Sequence, residues 1–576
     1  QVTYDYTATS TNNAHGRLSS ITTESTVYSF NYDTFGNTKS ISAGNYQLAD
    51  YTYNSYNGKI SSIEYGSGAE VEYVYDKLER VSEIRHRESG DEDFTPAYRY
   101  TYDANGCLHT FTDLINDQVT TYRYDTSGRL KEYYVNDSDD TLNQNALLYW
   151  YDSQGRVERY NYRRDYKYSG GTEVLDLDYE ICYNSDGHID FVENTIGSSS
   201  SICAYYEYDN LNRVRTDEFE IITGSEASFA VTRDYTYCNV EEIASTMVDS
   251  ITTTFGGGNS EKVYYIYGDT GNINRVESLQ NGVRYYDNTY KYDDLGQLIR
   301  EDNRSAGKTY VFTYDNAGNI TSKKTYAYTT ADTITTSLLD TVIYEYNDPS
   351  CGDLLTKYDG HSIAYDSCLN PVTYYAGGET YTMTWTRGRR LSSMSSGSQT
   401  LSFTYNDEGI RTSKTVNGTK HTYSLSGSQI LSEEWYTGTT QHLILYVYDA
   451  NGSPIGMRYR NSTYSGAWLD SYMFVKNLQG DIIYIYDEDG NRVVTYTYDA
   501  WGNILSVTGS AASTIGVMNP FRYRGYYYDE ETGFYLTGTR YYDPEIGRFI
   551  NADGEISDVG GNVLGYNLFA YCFNNP

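Results

Sequence analysis

The chain has 576 residues and a formal net charge of −35, and 70 of its residues are tyrosine against 16 phenylalanine and 5 tryptophan. A charge of this sign disfavours nucleic acid and anionic membrane surfaces as partners, because both need a basic protein surface. No apolar run approaches the roughly 20 residues of a membrane-spanning helix. So many tyrosines favour β-sheets that are packed on one side and wetted on the other.

The N-terminal residues show no targeting signal. Gln1 leads directly into a polar, strand-like segment, without the basic and apolar regions of a signal peptide. We therefore expect the chain to be a piece of a longer protein.

A short motif, aromatic-x-Tyr-Asp-x-x-Gly-x-aliphatic, recurs along most of the chain. Neighbouring copies often lie about 22 to 27 residues apart, a spacing that is typical of repeat architectures. Clear copies lie at Tyr102-Asp103, Tyr124-Asp125, Tyr151-Asp152, Tyr292-Asp293, Tyr314-Asp315, Tyr448-Asp449, Tyr486-Asp487 and Tyr498-Asp499. Degenerate copies lie at Tyr53-Asn54, Tyr183-Asn184, Tyr208-Asp209, Tyr267-Gly268 and Tyr405-Asn406.

Each copy of the motif predicts a β-hairpin. The residues before the Tyr-Asp pair alternate in polarity, as in Thr121–Tyr124, which is the pattern of a half-buried strand. Asp125 can open a tight turn by accepting backbone N–H groups. Gly128 can adopt the positive φ that follows a type I turn in a bulged hairpin, and Leu130 begins the return strand.

The fold class predicted from these copies is all-β, with stacked hairpins that form one long sheet spiralling into a hollow shell. Tyrosines on neighbouring strands stabilise such a sheet by ~0.2–1 kcal/mol per pair, and a long twisted sheet must curl. The aliphatic content is low for a solid core, which favours a wall one sheet thick around a wet or cargo-filled interior. Spacing alone leaves an extended β-solenoid, or several ordinary sandwiches, as alternatives.

Residues that could hold a metal or a cofactor are scattered. The seven cysteines include no CxxC pair and the seven histidines no HxH or HExxH pair, so we predict neither a metal nor a cofactor. Cys351 and Cys368 could form a disulfide, although nothing in the sequence requires one. Arg387, Arg389 and Arg390 are predicted to form a solvated, ion-paired strand end.

The C-terminal residues add a more specific pattern. Asn519–Asp529, the run TGTRYYDPEIGRFINAD that ends at Asp553, and the final Asn567–Tyr571 with Asn574–Pro576 are similar to the RHS-associated core. Repetition at a regular period is hard to reach by chance. With about a dozen copies of the Tyr-Asp motif, the chain therefore resembles the YD-repeat/RHS proteins.

Members of that family, which include Tc toxin C-components and teneurins, coil their repeats into a hollow shell. The resemblance implies a repeat shell at residues 1–495 and a core at residues 496–576 that plugs one end. The shell would enclose the protein's own C-terminal cargo polypeptide, a toxin or effector. We expect a monomer that a bacterium secretes or carries on its surface. The alternative is the teneurin use of the shell, which is cell-surface adhesion without proteolysis.

The resemblance also implies an aspartyl autoprotease that releases the cargo. The family's characteristic Arg, and the Asp that follows the GRF segment, fall on Arg540 and Asp553. Peptide hydrolysis by aspartates needs two nearby carboxylates that share a proton, and the arginine would keep one of them ionised. A purely structural ion pair or turn is the alternative.

Two departures from the family pattern bear on catalysis. Asp553 is followed by Gly554, where the family commonly has proline, and the sequence stops at Pro576, before a second Asp-Pro-x-Gly segment. We therefore expect the second aspartate, the scissile bond and the cargo to lie beyond Pro576, and this chain to be inactive by itself. The nearby Asp543 and Asp558 are predicted to serve turns.

Overall fold

Hairpins follow one another along nearly the whole chain. Within the residues that the computed structural model describes, every strand pairs antiparallel with the next strand of the same sheet, in sheets of 29, 14 and 4 strands. The described residues are 2–6, 16–137, 140–168, 171–197, 200–224, 226–240, 243–280, 283–463, 469–554 and 563–576.

The first sheet takes up the N-terminal part of the chain. Its strands are β1 (Thr3–Tyr6), β2 (Leu18–Thr22), β3 (Val27–Tyr32), β4 (Thr38–Ala43), β5 (Tyr46–Tyr53), β6 (Ile60–Glu64), β7 (Glu70–Tyr75), β8 (Val81–Arg87), β9 (Thr95–Tyr102), β10 (Leu108–Asp113), β11 (Gln118–Tyr124), β12 (Leu130–Asp137), β13 (Asp140–Tyr151), β14 (Val157–Tyr168), β15 (Gly171–Tyr183), β16 (Ile189–Ile196), β17 (Ser200–Tyr208), β18 (Val214–Thr223), β19 (Glu226–Val240), β20 (Ile243–Phe255), β21 (Ser260–Tyr267), β22 (Ile273–Gln280), β23 (Val283–Tyr292), β24 (Leu298–Asn303), β25 (Lys308–Tyr314), β26 (Ile320–Ala327), β27 (Leu338–Glu345), β28 (Lys357–Tyr358) and β29 (His361–Ser362).

The second sheet contains β30 (Ala364–Tyr365), β31 (Pro371–Ala376), β32 (Glu379–Thr386), β33 (Arg390–Ser395), β34 (Thr400–Tyr405), β35 (Arg411–Val416), β36 (Thr419–Ser426), β37 (Gln429–Thr437), β38 (Thr440–Tyr448), β39 (Pro454–Asn461), β40 (Asp470–Lys476), β41 (Ile482–Asp487), β42 (Arg492–Tyr498) and β43 (Ile504–Thr508). The third contains β44 (Tyr527–Asp529), β45 (Phe534–Leu536), β46 (Tyr541–Asp543) and β47 (Arg548–Phe549). The helical elements are α1 (Ile515–Met518) and the 3-10 turns Tyr523–Gly525, Val563–Tyr566 and Cys572–Asn574.

The Tyr-Asp turns have the geometry that their residues predict. Asp125 accepts the N–H groups of Ser127 and Arg129 through one carboxylate oxygen, at 2.8 and 2.9 Å. Its carbonyl accepts the N–H of Gly128 at 3.0 Å, and Gly128 has φ +80°. The hairpin prediction is therefore confirmed at this turn, bulge included, because the strand register shifts just before it.

Three copies of the motif were not recognised from the sequence, and one copy lies at a different edge of its sheet from the one that the spacing suggests. Tyr32-Asp33, Tyr75-Asp76 and Tyr365-Asp366 form the same turn, and in the last two Glu79 at φ +62° and Leu369 at φ +63° take the place of glycine. Tyr486-Asp487 comes only one strand before Tyr498-Asp499, so the two turns lie at opposite edges of the second sheet.

In most copies of the motif the tyrosine joins its hairpin to the preceding one. The Tyr183 hydroxyl donates to the carbonyl of Val157, the first residue of the preceding return strand, at 2.9 Å. This bond adds a side-chain link to the backbone ladder beside the turn. Equivalent bonds to a carbonyl of the preceding return segment, in most cases at or next to its first strand residue, are made by Tyr32, Tyr53, Tyr75, Tyr102, Tyr124, Tyr151, Tyr208, Tyr237, Tyr267, Tyr292, Tyr314, Tyr346, Tyr365, Tyr405, Tyr448 and Tyr498.

The second sheet runs beside the first as the next turn of a spiral. The Tyr98 hydroxyl donates to the Tyr405 carbonyl at 2.8 Å across a separation of 307 residues. Farther along, the Leu478 N–H donates to the Tyr265 hydroxyl at 3.2 Å across only 213 residues. Residues later in the first sheet contact residues later in the second sheet, but the number of residues between the two partners falls. The spiral therefore tightens towards the C-terminus.

Strand β38 shows where the core lies. Leu443, Leu445 and Val447 pack against the first sheet, whereas Ile444 and Tyr446 pack against residues from the C-terminal segment (residues 515–576). Both faces of this strand are buried, so the second sheet forms a middle layer between the first sheet and the C-terminal segment.

The predicted all-β fold is confirmed. Within the described residues the ladder is interrupted at Ile363, whose N–H donates to the Thr356 carbonyl instead of a neighbouring strand, and again between β43 and β44. The second sheet extends to Thr508, and the predicted boundary at residue 495 stays a prediction.

The expectation of a solvated, ion-paired arginine cluster is wrong. Arg387 is 7% exposed and donates to the Tyr405 carbonyl at 3.3 Å. Arg390 donates to the Asn406 carbonyl at 2.8 Å, and Arg389 reaches the C-terminal segment. These side chains bind backbone carbonyls because the strand end lies at the contact between layers.

The possible disulfide between Cys351 and Cys368 is not formed. All seven cysteines lie among the described residues and all are free. The Cys368 sulfur accepts the Ser67 N–H at 3.1 Å, and the Cys351 sulfur accepts the Thr26 hydroxyl at 3.7 Å. Both thiols therefore take part in contacts between neighbouring turns of the spiral.

Candidate active site

Two loops of the C-terminal segment carry the predicted catalytic residues. Arg540 comes just before β46, in a turn closed by the Thr537 N–H donating to its carbonyl at 2.9 Å. Asp553 follows β47, and its N–H donates to the Leu568 carbonyl at 3.0 Å. The same carbonyl accepts an Arg540 guanidinium N–H at 3.3 Å, so Leu568 fixes both loops.

The structure brings Arg540 and Asp553 together. The guanidinium Nη2 lies 2.8 Å from the Asp553 Oδ2, and its plane covers the Phe549 ring at 3.6 Å from the centroid. The side chains are 23% and 39% exposed, respectively, so water reaches the carboxylate. Burial, opposed by Asp553 and reinforced by Arg389, lowers the pKa of Arg540, which nevertheless stays charged.

Arg389 is a third member of this site that the sequence reasoning did not place there. Its Nη1 donates to the carbonyls of Ala552 and Asp553 at 3.2 and 2.8 Å. The side chain comes from the second sheet, just ahead of β33, and fixes the backbone on which Asp553 stands. The run of arginines around Arg389 could be seen in the sequence, but the sequence did not show that this side chain contacts the Asp553 loop.

Asp543 has the turn role predicted for it. One carboxylate oxygen accepts the Glu545 N–H at 2.9 Å, and the other accepts the Tyr374 hydroxyl at 3.0 Å. Burial, and then the charge of Glu545, raise the pKa of Asp543 to about 7. The other predicted turn residue, Asp558, lies outside the described residues.

Chemically, the pair is one carboxylate held beside a guanidinium and open to water. The Asp553 carboxylate is paired with the Arg540 guanidinium, and a carboxylate that activates a water molecule does so in its ionised form. Hydrolysis needs a second, protonated carboxyl at hydrogen-bond distance. Asp543 does not supply it, because both of its oxygens are bound within its own turn and by Tyr374.

Comparison with known proteins places the repeats and the core in one family. Residues 219–576, more than half of the chain, match the profile of the teneurin YD-shell. The chain belongs to the teneurin YD-shell family. Human teneurin-4 is 25% identical over 539 residues, which cover 89% of this chain and 16% of teneurin-4.

Bacterial proteins are similar in sequence to about half of this chain. The tRNA nuclease WapA of Bacillus subtilis is 33% identical over 300 residues, which cover 50% of this chain and 11% of WapA. The double-stranded DNA deaminase toxin A of Burkholderia cenocepacia is 26% identical over 322 residues, 50% of this chain and 22% of that toxin. This chain therefore spans only a small part of the length of these relatives.

Solved structures share the YD-shell fold. In the Tc holotoxin pore of Photorhabdus luminescens, the match covers all of this chain and 29% of the toxin chain, with a TM-score of 0.77 and 16% identity. The TcdB2-TccC3 complex gives a TM-score of 0.76 over the same full length of this chain. At this level of identity the match establishes the fold.

A buried charge cluster anchors the end of the YD-shell to the second sheet, and sequence reasoning missed it. Asp529 accepts two N–H groups of Arg411 at 2.6 and 3.1 Å, and Lys414 at 3.0 Å. Lys414 also lies 2.8 Å from Glu531. The side chains of Arg411 and Asp529 are 1% and 0% exposed, so removing one charge would leave the others uncompensated.

A cavity of about 650 Å³ lies between the first sheet, the second sheet and the last residues of this YD-shell. Its lining includes Glu261, Asp481, Arg524, Asn575 and Pro576. That volume suits a peptide segment or a small molecule. The last residues thus lie on the inner side of the winding.

The described residues hold no group of three or more His, Cys, Asp or Glu side chains placed to bind a metal ion. No helix among them is long and apolar enough to span a membrane.

Proposed function

We propose that this chain is the closing end of a secreted bacterial shell that encloses a C-terminal toxin or effector polypeptide. The observation that carries the proposal is the inward winding, in which β38 is covered by the first sheet on one face and by the C-terminal segment on the other. A strip that tightens in this way closes one end of a container, and the C-terminal segment is its plug.

The position of the last residues supports an enclosed cargo. Asn575 and Pro576 lie against the cavity between the layers. The Asn574 side chain donates to the Gln297 side chain at 2.9 Å and to the Gly318 carbonyl at 2.7 Å. A polypeptide that continues from this point starts on the inner side of the wall. The names of two bacterial relatives, a tRNA nuclease and a DNA deaminase toxin, are in keeping with toxic cargo.

The proposed release reaction is cleavage by the core itself. Asp553 would act as the carboxylate that activates water, and Arg540 would be its counter-charge at 2.8 Å. The second aspartate would come from residues beyond Pro576. In this proposal, the present chain positions half of the catalytic pair.

The test is the size of the protein when it is expressed from its gene with the residues beyond Pro576. We expect two fragments for the native sequence and one uncleaved chain for Asp553→Asn, detected by denaturing electrophoresis and mass spectrometry. Asp340→Asn, at an exposed position of β27, is the matched control and should still be cleaved. Two fragments from Asp553→Asn would refute the autoprotease.

A second candidate function is adhesion by the outer surface. The match to human teneurin-4 across 89% of this chain favours it. This alternative predicts saturable binding of the purified chain to a glycan or cell-surface protein, measured on glycan arrays and by biolayer interferometry, with no effect of Asp553→Asn. Absence of binding in both assays would leave encapsulation as the function.

A further inference from the structure

A lysine of the first sheet faces an aspartate of the second sheet at a buried contact. Lys323 belongs to β26, and its Nζ lies 3.9 Å from the Oδ2 of Asp499, the motif aspartate that follows β42. The two side chains are 14% and 3% exposed, respectively. An amine and a carboxyl group therefore meet where water has little access.

The surroundings of this pair are aromatic. The Lys323 Nζ lies over the Tyr310 and Phe312 rings, 5.2 and 6.0 Å from their centroids. The Phe312 ring packs against Trp501, with 5.7 Å between the centroids. Taking two charges out of water costs free energy that their attraction does not always offset. A reaction that removes both charges is therefore favoured at this place.

The Asp499 carboxylate is held in one orientation. Its Oδ1 accepts the backbone N–H groups of Trp501 and Asn503 at 3.0 and 2.9 Å, and its Oδ2 accepts the Asn503 side-chain N–H at 2.9 Å. Donors placed in this way stabilise a negative charge that develops on the oxygen they contact. The turn thus prepares Oδ1 for the attack of a nucleophile on the carboxyl carbon.

A second carboxyl group, from Glu301, lies beside the pair. Its oxygens accept the N–H of Ala500, the residue after Asp499, at 3.1 and 3.0 Å, and the Asn303 side chain donates to one of them at 2.9 Å. Burial, and then the Asp499 charge, raise the pKa of Glu301 to about 8. Glu301 therefore carries a proton at neutral pH, as a general acid must, and burial, the larger cause, persists when Asp499 is uncharged.

We propose that the side chains of Lys323 and Asp499 condense to an amide, an intramolecular isopeptide bond, with Glu301 as the proton carrier. The observation behind the proposal is the meeting of an amine and two carboxyl groups in one buried, aromatic contact. The bond would join β26 of the first sheet covalently to the turn after β42 of the second. It is independent of cargo and of cleavage at Asp553.

The reaction balances without a further reactant. A proton passes from the Lys323 ammonium to Asp499, whose pKa burial raises, and leaves a neutral amine, the nucleophilic form. Nζ attacks the Asp499 Cγ, and the negative charge develops on Oδ1. Glu301 gives its proton to the departing Oδ2 hydroxyl and takes one from Nζ. A C–N bond replaces a C–O bond, one water molecule leaves, and Glu301 ends as it began. Holding the reacting groups together replaces the activation that such a condensation needs in water.

The experiment is mass spectrometry of the purified 576-residue chain, intact and after trypsin digestion. We expect an intact mass that is lower than the sequence mass by one water molecule, and a branched peptide that contains both Lys323 and Asp499. Lys323→Arg, which keeps the positive charge, should have the full sequence mass and no branched peptide. Lys324→Arg is the matched control, because neighbouring residues of a strand point to opposite faces, and it should keep the bond.

Two results would overturn the bond itself. One is the full sequence mass with separate Lys323 and Asp499 peptides in the native chain. The other is loss of one water molecule that persists in Lys323→Arg, since this would place the dehydration elsewhere. Glu301→Gln should abolish the branched peptide while circular dichroism shows the native β-signal, and an undiminished yield in that variant would overturn the part assigned to Glu301.

Discussion

Asp125, Arg129 and Tyr151 show how single residues link one repeat to the next. Arg129 pairs with Asp125 in its own turn at 2.7 Å, and its guanidinium lies over the Tyr151 ring of the following hairpin, 4.4 Å from the centroid. Tyr151 in turn donates to the carbonyl of Leu130. These groups are half-exposed, so each ion pair contributes at most about 1 kcal/mol to the free energy of unfolding. Because similar pairs recur along the repeats, their small contributions add up.

The tyrosine links predict a measurable loss when three hydroxyls are removed. Replacing Tyr124, Tyr183 and Tyr208 with phenylalanine should lower the free energy of unfolding by about 3 kcal/mol, at about 1 kcal/mol per bond. The sites lie in separate hairpins, so the losses should add. Urea unfolding followed by circular dichroism measures the change. Tyr56→Phe, at a 97% exposed tyrosine, is the control and should leave the midpoint unchanged.

At the scale of elements, the Asp529 cluster decides whether the C-terminal segment stays attached to the second sheet. The carboxylate neutralises two buried cations, Arg411 and Lys414. Burial opposes ionisation of Asp529, but these cations hold its pKa below the usual range. The cluster is therefore intact at neutral pH and weakens only in strong acid.

Asp529→Asn should loosen this attachment. Leaving two cations without their partner costs about 3–5 kcal/mol, so limited proteolysis should cut within residues 515–576 faster than in the native chain. Glu531→Gln removes only the half-exposed partner of Lys414 and should have a smaller effect. Equal cleavage rates for Asp529→Asn and the native chain would contradict the anchoring role.

A second element-scale contact links β24 to the last turn of the second sheet. The Glu301 carboxylate accepts the Ala500 N–H at 3.0 Å and lies near Asp499, whose own carboxylate is 3.9 Å from Lys323. Burial, and then the Asp499 charge, raise the pKa of Glu301 from its ordinary 4.5 to about 8. The folded chain therefore holds a proton that the unfolded chain has released.

This contact predicts that stability falls as pH rises. Between about pH 4.5 and about pH 8 the folded state binds more protons than the unfolded state, so the free energy of unfolding decreases across that window. Glu301→Gln should reduce this slope, as measured by melting temperatures at intervals across the window, and the raised pKa of Asp543 should supply part of the slope that remains. The exposed-site control Asp489→Asn should keep the native slope, and an unchanged slope in Glu301→Gln would contradict the assignment.

At the scale of the whole molecule, the successive hairpins form layers of sheet rather than a filled globule. Thr26 and Cys351 form an isolated antiparallel bridge, and the Gly352 N–H donates to the Ser25 carbonyl at 3.0 Å. The C-terminal end of the first sheet thus contacts its N-terminal strands. The second sheet then continues on the inner side of this turn of the spiral. Most of the first sheet presents one face to solvent, as the alternating exposure along β18 illustrates.

That shape predicts a scattering profile. A solid globule of this length has a radius of gyration of about 25 Å, and the layered, open winding should exceed it moderately, with a pair-distance curve peaked beyond the particle radius. Small-angle X-ray scattering of the 576-residue chain measures both. A value at or below that of the solid globule would argue against a shell wall, and a much larger value with a long tail would indicate an extended solenoid.

The hairpins could be predicted from the sequence because each depends on contacts within a few residues. Asp125, Gly128 and the alternating residues before them determine a turn and two strands without help from the rest of the chain. The C-terminal motif likewise predicted Arg540 and Asp553 as a pair, since the two lie 13 residues apart on loops of one small sheet. Neither observation depends on how the strip winds.

What only the tertiary structure decided is which turn meets which. Trp501 is buried and Tyr56 is exposed at the same position of the same motif, because docking depends on the circumference of the spiral and not on the local pattern. Arg389 reaches Asp553 across 164 residues, and Arg411 reaches Asp529 across 118. Those distances are set by the number of strands in each turn, a cumulative property of twist and packing that no single repeat encodes.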